Sequence, residues 1–295
     1  MLSKLKHDGP KVRESSMKEV ASIMADLQSA FGADLTELRP IEGGTLGLCF
    51  AGRLRGTVRF FKSHVLPSGC ATLVREREFL QITAPSINPE LVALSGGRES
   101  ERLWLHLAWL ERSSDVVPSS VRAVVKSYED SLVSNNEAAK LVPRTDDLCH
   151  LVSEARLALE VLSEDGFLTS AIRQRALQCI NRAAEIGARH PACLCHGDLS
   201  PANILTDGKA LIALDWEDVF WGVSGYDYLY WLTFFSNRKW LLPESLGHTA
   251  LTRSEEVSLM IVVLILKSFI SVRNGQHKHN SLSVDQRLSE VLNLE

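Results

Sequence analysis

The stretch from Leu194 to Glu217 constrains the fold of this chain more than any other. An apolar pair, Leu194-Cys195, runs into His196-Gly197-Asp198, and a short loop leads on to Asn203. Ile204-Leu205 begins an apolar strand, Asp207-Gly208 supplies a turn, and Leu211-Ile212-Ala213-Leu214 returns to Asp215-Trp216-Glu217. Two short apolar runs joined by turn formers predict a hairpin. That hairpin brings Asp198, Asn203 and Asp215 towards one place. Around this extended interlude the pattern is helical: Ser119 to Leu132, Asp146 to Leu162 and Leu168 to Arg189 precede it, and further helices are expected from Tyr226 onwards. Asp146 or Asp147 suits the N-cap of the second of these helices.

The first part of the chain reads differently. Ser16 to Phe31 places Val20, Ile23, Met24, Leu27 and Phe31 at amphipathic helical spacing, with Gly32 where the helix should end. Ile41 to Phe50 then carries Gly43-Gly44 and Gly47, and Arg55-Gly56 sits between β-prone residues. This predicts a glycine-rich turn followed by a hairpin. Ala71 to Ile82 reads as a helix, and strands are expected near Leu91–Leu94 and Leu103–Ala108, with a turn at Ser95-Gly96-Gly97. The expected class is α+β: a polar tail over 1–15, a small N-terminal β-sheet lobe over 16–110, and a larger, mostly helical C-terminal lobe over 111–295.

Charge and cysteine usage narrow the partners. A net charge of −4 over 295 residues gives no field that points to nucleic acid or to a membrane surface. Val257 to Leu266 is the one long apolar run, and it falls short of the about 20 residues that span a bilayer, so a buried helix is expected. Met1 to Ser15 lacks an apolar signal core, and the six cysteines are scattered; both features fit reduced thiols in a cytoplasmic protein. Cys193-x-Cys195-His196 has no second ligand pair nearby, which disfavours a structural zinc site.

Phosphoryl transfer needs a carboxylate to orient the attacking hydroxyl and hard oxygen ligands to hold Mg²⁺ against phosphates. Asp198 suits the first role, and Asn203 and Asp215 suit the second. The series His-Gly-Asp-x-x-x-x-Asn, a strand and Asp-Trp-Glu resembles the aminoglycoside phosphotransferase and choline kinase group, a branch of the protein-kinase-like fold. The likeness runs from Ile41 to Leu232 and is specific over Leu194 to Glu217. It implies that Asp198 is the catalytic base, that Asn203 and Asp215 bind Mg²⁺, and that His196 braces the loop.

The same resemblance implies the other half of a nucleotide site upstream. Val58-Arg59-Phe60-Phe61-Lys62 ends in the lysine expected on the nucleotide phosphates. Glu76 stands where the family has the acid that pairs with it, and Glu78 is the alternative. Glu42 to Gly47, with Gly43 and Gly44, fits the loop that covers the phosphates, although it departs from Gly-x-Gly-x-x-Gly. Trp104 to Glu111 is where the lobes should join, and the backbone of Leu105 to Trp109, centred on His106 and Leu107, is expected to bind adenine. Asp227 matches the acid that supports the catalytic loop, with Tyr228 ahead of the leucine as a departure from the family pattern.

The expected activity is therefore a kinase reaction, with ATP or GTP as co-substrate, Mg²⁺ as cofactor and a small-molecule hydroxyl as acceptor. Trp216, Phe220, Trp221, Tyr226, Tyr228, Tyr230, Trp231, Phe234 and Phe235 follow one another closely. Such rings either pack the helical core or hold a cationic acceptor by cation–π attraction. Amino sugars, amino alcohols and sugars are the acceptor types considered. The tail from Gln276 has only Asp285, Glu290 and Glu295 as acids, which gives little support to an antibiotic-resistance role. A protein kinase is disfavoured by His-Gly-Asp and Asp-Trp-Glu. A nucleotide-binding pseudokinase scaffold should have lost Lys62, Asp198, Asn203 or Asp215, and all are present.

Overall fold

The computed structural model describes residues 16–41, 47–64, 69–95 and 101–295. They divide into two compact units: one holds the described residues up to Ser113 together with Ile204–Glu217, and the other holds Ser114–Asn203 and Asp218–Glu295.

The first unit begins with α1 (Ser16–Phe31), followed by β1 (Leu35–Pro40), β2 (Gly47–Leu54), β3 (Thr57–His64), α2 (Cys70–Thr83), β4 (Glu90–Ser95), β5 (Glu101–Ala108) and the short β6 (Glu111–Arg112). β1 to β5 form one antiparallel sheet in the order β1-β2-β3-β5-β4. The two-residue link between β2 and β3 has Arg55 at φ 51° and Gly56 at φ 79°. Both are left-handed, as a type I′ turn requires, and this fixes the register from Leu54 opposite Thr57 to Gly47 opposite His64. One face of α1 packs Ile23 and Leu27 against Leu35, Phe50, Phe61 and Trp104. Each such fully buried side chain contributes about 1.5–3 kcal/mol relative to exposure. β1 is irregular: its register shifts between Thr36 and Arg39, where Glu37 has φ 54°.

The second unit opens with α3 (Pro118–Val133), α4 (Asn136–Lys140), α5 (Leu148–Glu164) and α6 (Ser170–Arg189), and reaches β7 (Ala192–Cys195). Asp147 caps α5 by accepting from the His150 N–H at 2.9 Å. The chain then returns to the first unit with β8 (Ile204–Thr206) and β9 (Leu211–Ala213), which pair with each other and, through β8, with β6. The hairpin expected after Asn203 is this β8–β9 pair.

The remainder comprises β10 (Phe220–Val223), α7 (Tyr226–Leu232), α8 (Arg253–Arg273) and α9 (Val284–Leu292), with β10 antiparallel to β7. The expected helix at Tyr226 is present as α7, but the expectation that helices continue from there needs correction. Residues 233–252 form short 3₁₀ turns at Phe235–Trp240 and Pro243–Ser245 instead. Pro243 lacks the N–H a helix interior needs, and Gly247 at φ 78° turns the chain. α8 starts at a capping box in which Thr252 and Glu255 satisfy each other's backbone N–H groups. It buries Val257 to Leu266 without a break and packs on α5, α6 and α9. A helix that is apolar all round belongs in a core. Among the described residues no helix is long and apolar enough to cross a membrane.

Candidate active site

In the first unit β3 ends near α2 and the end of the β8–β9 hairpin, so that charged groups from three sequence regions meet. The Lys62 ammonium donates to Glu76 Oε2 at 2.8 Å and to Asp215 Oδ1 at 2.5 Å, and lies 2.8 Å from Glu217 Oε1. The other oxygen of Glu76 accepts from the Asp215 N–H at 3.2 Å, which ties α2 to the hairpin end. Asp215 adopts φ 70°, a left-handed conformation that is uncommon outside glycine and that aspartate tolerates better than most residues. Below it, Trp216 stacks on Phe79 of α2 with ring centroids 5.4 Å apart. Glu78 is turned away and pairs with Arg77. Of the two glutamates considered from the sequence, Glu76 is the one that meets Lys62.

The electrostatics follow from the charge count. Three carboxyl groups surround one ammonium, so with all three ionised the half-buried cluster carries two surplus negative charges. Burial pushes the Glu76 carboxyl up to about 7, against the pull of Lys62. Burial also acts on Lys62, but the carboxylates outweigh it and hold the ammonium well above its ordinary range. Burial works against the Glu217 charge too, yet the hydrogen bond from His64 at 3.0 Å and the nearby Lys62 bring it down to about 2. Oxygen atoms of Glu76, Asp215 and Glu217 all lie within 4.8 Å of one another. Such an all-oxygen donor set has the chemistry that a hard divalent cation takes, with the Lys62 ammonium standing among the three carboxyl groups.

The remaining candidates of the first unit are placed as follows. His106 and Leu107 sit inside β5, where His106 is opposite Phe61 and Glu90, and Leu107 is opposite Phe60. The His106 ring lies in the core, 5.7 Å from the Phe61 ring and 5.9 Å from that of Phe31. The Trp109 N–H donates to the Val58 carbonyl at 3.3 Å, so odd-numbered residues here turn their backbone groups to β3. Those of Ala108 turn to the other edge, past Glu90 where β4 begins. The sheet therefore takes up the backbone groups expected to bind adenine at His106 and Leu107, and leaves those of Ala108. Gly43 and Gly44 lie outside the described residues, as does the expected turn at Gly96-Gly97.

In the second unit, β7 leads into the loop from His196 to Asn203, and α7 supports that loop. Asp227, the second residue of α7, is fully buried. Its carboxylate accepts from the His196 N–H at 2.7 Å, the Gly197 N–H at 3.0 Å and the Tyr128 hydroxyl at 2.7 Å. Gly197 has φ 85°, and a Cβ there would stand 2.1 Å from the Asp218 carbonyl oxygen, so glycine is required. The His196 ring, also buried, accepts from the Asp198 N–H through Nδ1 at 3.3 Å. Asn203 donates from Nδ2 to the Asp198 carbonyl at 2.8 Å, so that its amide nitrogen is engaged and Oδ1 is its acceptor atom.

Asp198 Oδ1 accepts from the Tyr230 hydroxyl at 2.7 Å. Burial raises the Asp198 carboxyl, and the Tyr230 hydrogen bond opposes that rise. Glu217, Tyr230, Tyr128 and Lys267 are residues that sequence reasoning left out of the site. Glu217 was in view as the third letter of Asp-Trp-Glu. Tyr230 was one ring among nine in the aromatic series, and nothing in the order of residues singles out Lys267 of α8.

A sequence model of the phosphotransferase enzyme family matches residues 59–249. A search of curated protein sequences found no match. Among solved structures, an aminoglycoside phosphotransferase in complex with ADP and hygromycin B is 14% identical with a TM-score of 0.62, over 92% of this chain and 98% of that one. A macrolide 2′-phosphotransferase from Brachybacterium faecium is 16% identical with a TM-score of 0.57, over 94% and 98%. A choline/ethanolamine kinase family protein from Mesorhizobium loti is 14% identical with a TM-score of 0.59, over 94% of each chain. At these identities the likeness is one of fold.

Proposed function

The chain belongs to the phosphotransferase enzyme family, and from that premise we propose that it moves the γ-phosphate of ATP or GTP to a hydroxyl of a small-molecule acceptor. The observation that carries this reading is the Lys62 cluster, in which Glu76 fixes the ammonium beside Asp215. A lysine so held is set to meet phosphate oxygens as a point charge. The backbone of Ala108 is the edge we assign to the nucleotide base.

Asp198 is the proposed base. Tyr230 occupies its Oδ1, so Oδ2 is the atom that takes the proton of the acceptor hydroxyl. The deprotonating oxygen attacks the γ-phosphorus, and the bond from that phosphorus to the nucleoside diphosphate breaks. Asp215 and Asn203, with Glu217 beside Asp215, are assigned to Mg²⁺, which when bound would neutralise phosphate charge. Asp227 and His196 keep the loop in shape through the bonds described above.

The test is Mg²⁺-dependent turnover of ATP and GTP against sugars, amino sugars and amino alcohols. Asp198→Ala should lower turnover by about 10²–10⁴-fold and leave nucleotide affinity near wild type. Wild-type turnover by Asp198→Ala would remove the base assignment. Tight Mg-nucleotide binding without transfer to any acceptor would favour a binding scaffold.

A further inference from the structure

Four aromatic rings, Phe220, Tyr226, Tyr230 and Phe234, follow one another by edge or tilted contacts in the second unit. The last two form a cage at Asp198, since the Tyr230 hydroxyl bonds the Asp198 carboxylate directly. Cages of this kind bind quaternary and primary ammonium groups. This one is already filled. The Lys267 Nζ lies 3.6 Å from the centroid of the Tyr230 ring and 3.4 Å from that of Phe234. It donates to Thr233 Oγ1 at 2.8 Å and reaches the Tyr230 carbonyl at 3.4 Å. Among the described residues it has no ion pair, so neutral oxygens and ring faces hold it.

We propose that Lys267 is a specificity-determining residue which occupies the aromatic cage beside the base and so excludes acceptors that carry an ammonium group next to the reacting hydroxyl. The acceptor is then a non-cationic alcohol, of the sugar type rather than an amino sugar or amino alcohol. The inference rests on the reading of Asp198 as the base, because that reading puts the acceptor hydroxyl at this carboxylate. Burial pulls the Lys267 amine well below its ordinary range, Asp198 opposes that pull, and Arg287 adds to it. In either protonation state the side chain fills the space between the rings. Exclusion therefore has a steric part that does not depend on charge.

Two variants separate these parts. Lys267→Ala empties the cage, whereas Lys267→Met keeps it filled without a charge. Tetramethylammonium is the probe, titrated by calorimetry into the full chain, and this readout needs no turnover. Lys267→Ala should bind it at least about tenfold more tightly than wild type, and Lys267→Met should behave as wild type. Matched acceptors provide the second arm: wild type should prefer glucose to glucosamine by about tenfold or more in kcat/KM, and Lys267→Ala should lose that preference. Equal binding of the probe by wild type and Lys267→Ala would overturn the proposal. So would equal or better turnover of the amino member by wild type. If neither sugar is turned over, the binding arm alone decides. Loss of the Asp198 assignment would show as turnover by Asp198→Ala, whatever the probe does.

Discussion

Lys62 is a single positive charge among three carboxylates, and its energetics can be tested without any substrate. Removing one partner of a fully buried pair costs about 3–5 kcal/mol, because the other charges stay behind unpaired. The cost at Lys62 should fall below that range, since the Asp215 side chain is 41% exposed and water screens it. Lys62→Met should therefore lower the denaturation midpoint and also create a stronger cation site, because three carboxylates then have no internal counter-charge. Midpoints measured with and without millimolar Mg²⁺ check this: the ion should stabilise Lys62→Met more than wild type. An equal shift in both proteins would mean that the carboxylates do not act as one group. Lys62 and Glu76 could be expected from the sequence only through the family resemblance, and the choice of Glu76 over Glu78 needed the fold, because helical spacing alone does not say which of the two faces β3. Glu217 could not be assigned that way, because its place beside Lys62 depends on how the β8–β9 hairpin ends.

Elements with a strong period were legible, and elements made by their neighbours were not. α1 and α8 follow from spacing or from an unbroken apolar run, and the β2–β3 hairpin follows from Arg55-Gly56. β6 is two residues long and exists because β8 pairs with it, so it leaves no pattern of its own. β10 likewise exists through its pairing with β7, and α4 is only one turn closed by Asn135. β5 shows a further limit: its sequence marks it as a strand but does not say which residue outlasts β4. His106, in the middle of that strand, permits a prediction about pH. Burial, opposed by Glu90 and helped by Arg59, lowers its pKa from 6.5, so the folded state favours the neutral ring. The unfolded chain takes up a proton first as pH falls, and stability present above about 6.5 is lost below it. His106→Phe keeps a ring against Phe31 and Phe61 and removes that proton. The difference in midpoint between His106→Phe and wild type should grow in favour of the variant from pH 7 to pH 5. A difference that stays constant over this range would show that His106 has no part in acid sensitivity.

On the scale of the whole molecule, the assigned residues are shared between the units: Lys62, Glu76, Asp215 and Glu217 belong to one, and Asp198, Asn203, His196, Asp227 and Tyr230 to the other. The motif from His196 to Glu217 was legible because its members lie close in sequence and alternate with strand and turn signals. Lys267 was not, because only tertiary packing brings α8 to Tyr230. This division gives each assignment a separate readout in ligand-linked stability. A ligand that binds only the folded state at 100 times its Kd adds about 2.7 kcal/mol, which raises the midpoint of a chain this size by several degrees, at about 2–4 °C per kcal/mol. Mg·ATP should raise the midpoint of wild type, and ATP with a chelator should raise it less. Asp198→Asn should keep the full Mg·ATP shift, because a base that contacts the acceptor adds nothing to nucleotide binding. Asp215→Asn should lose the part that depends on Mg²⁺ and keep the part that depends on ATP alone. If both variants kept the full shift, Asp215 would not hold the metal. If both lost it, Asp198 would belong to the nucleotide site, and the division between base and metal ligand would fail.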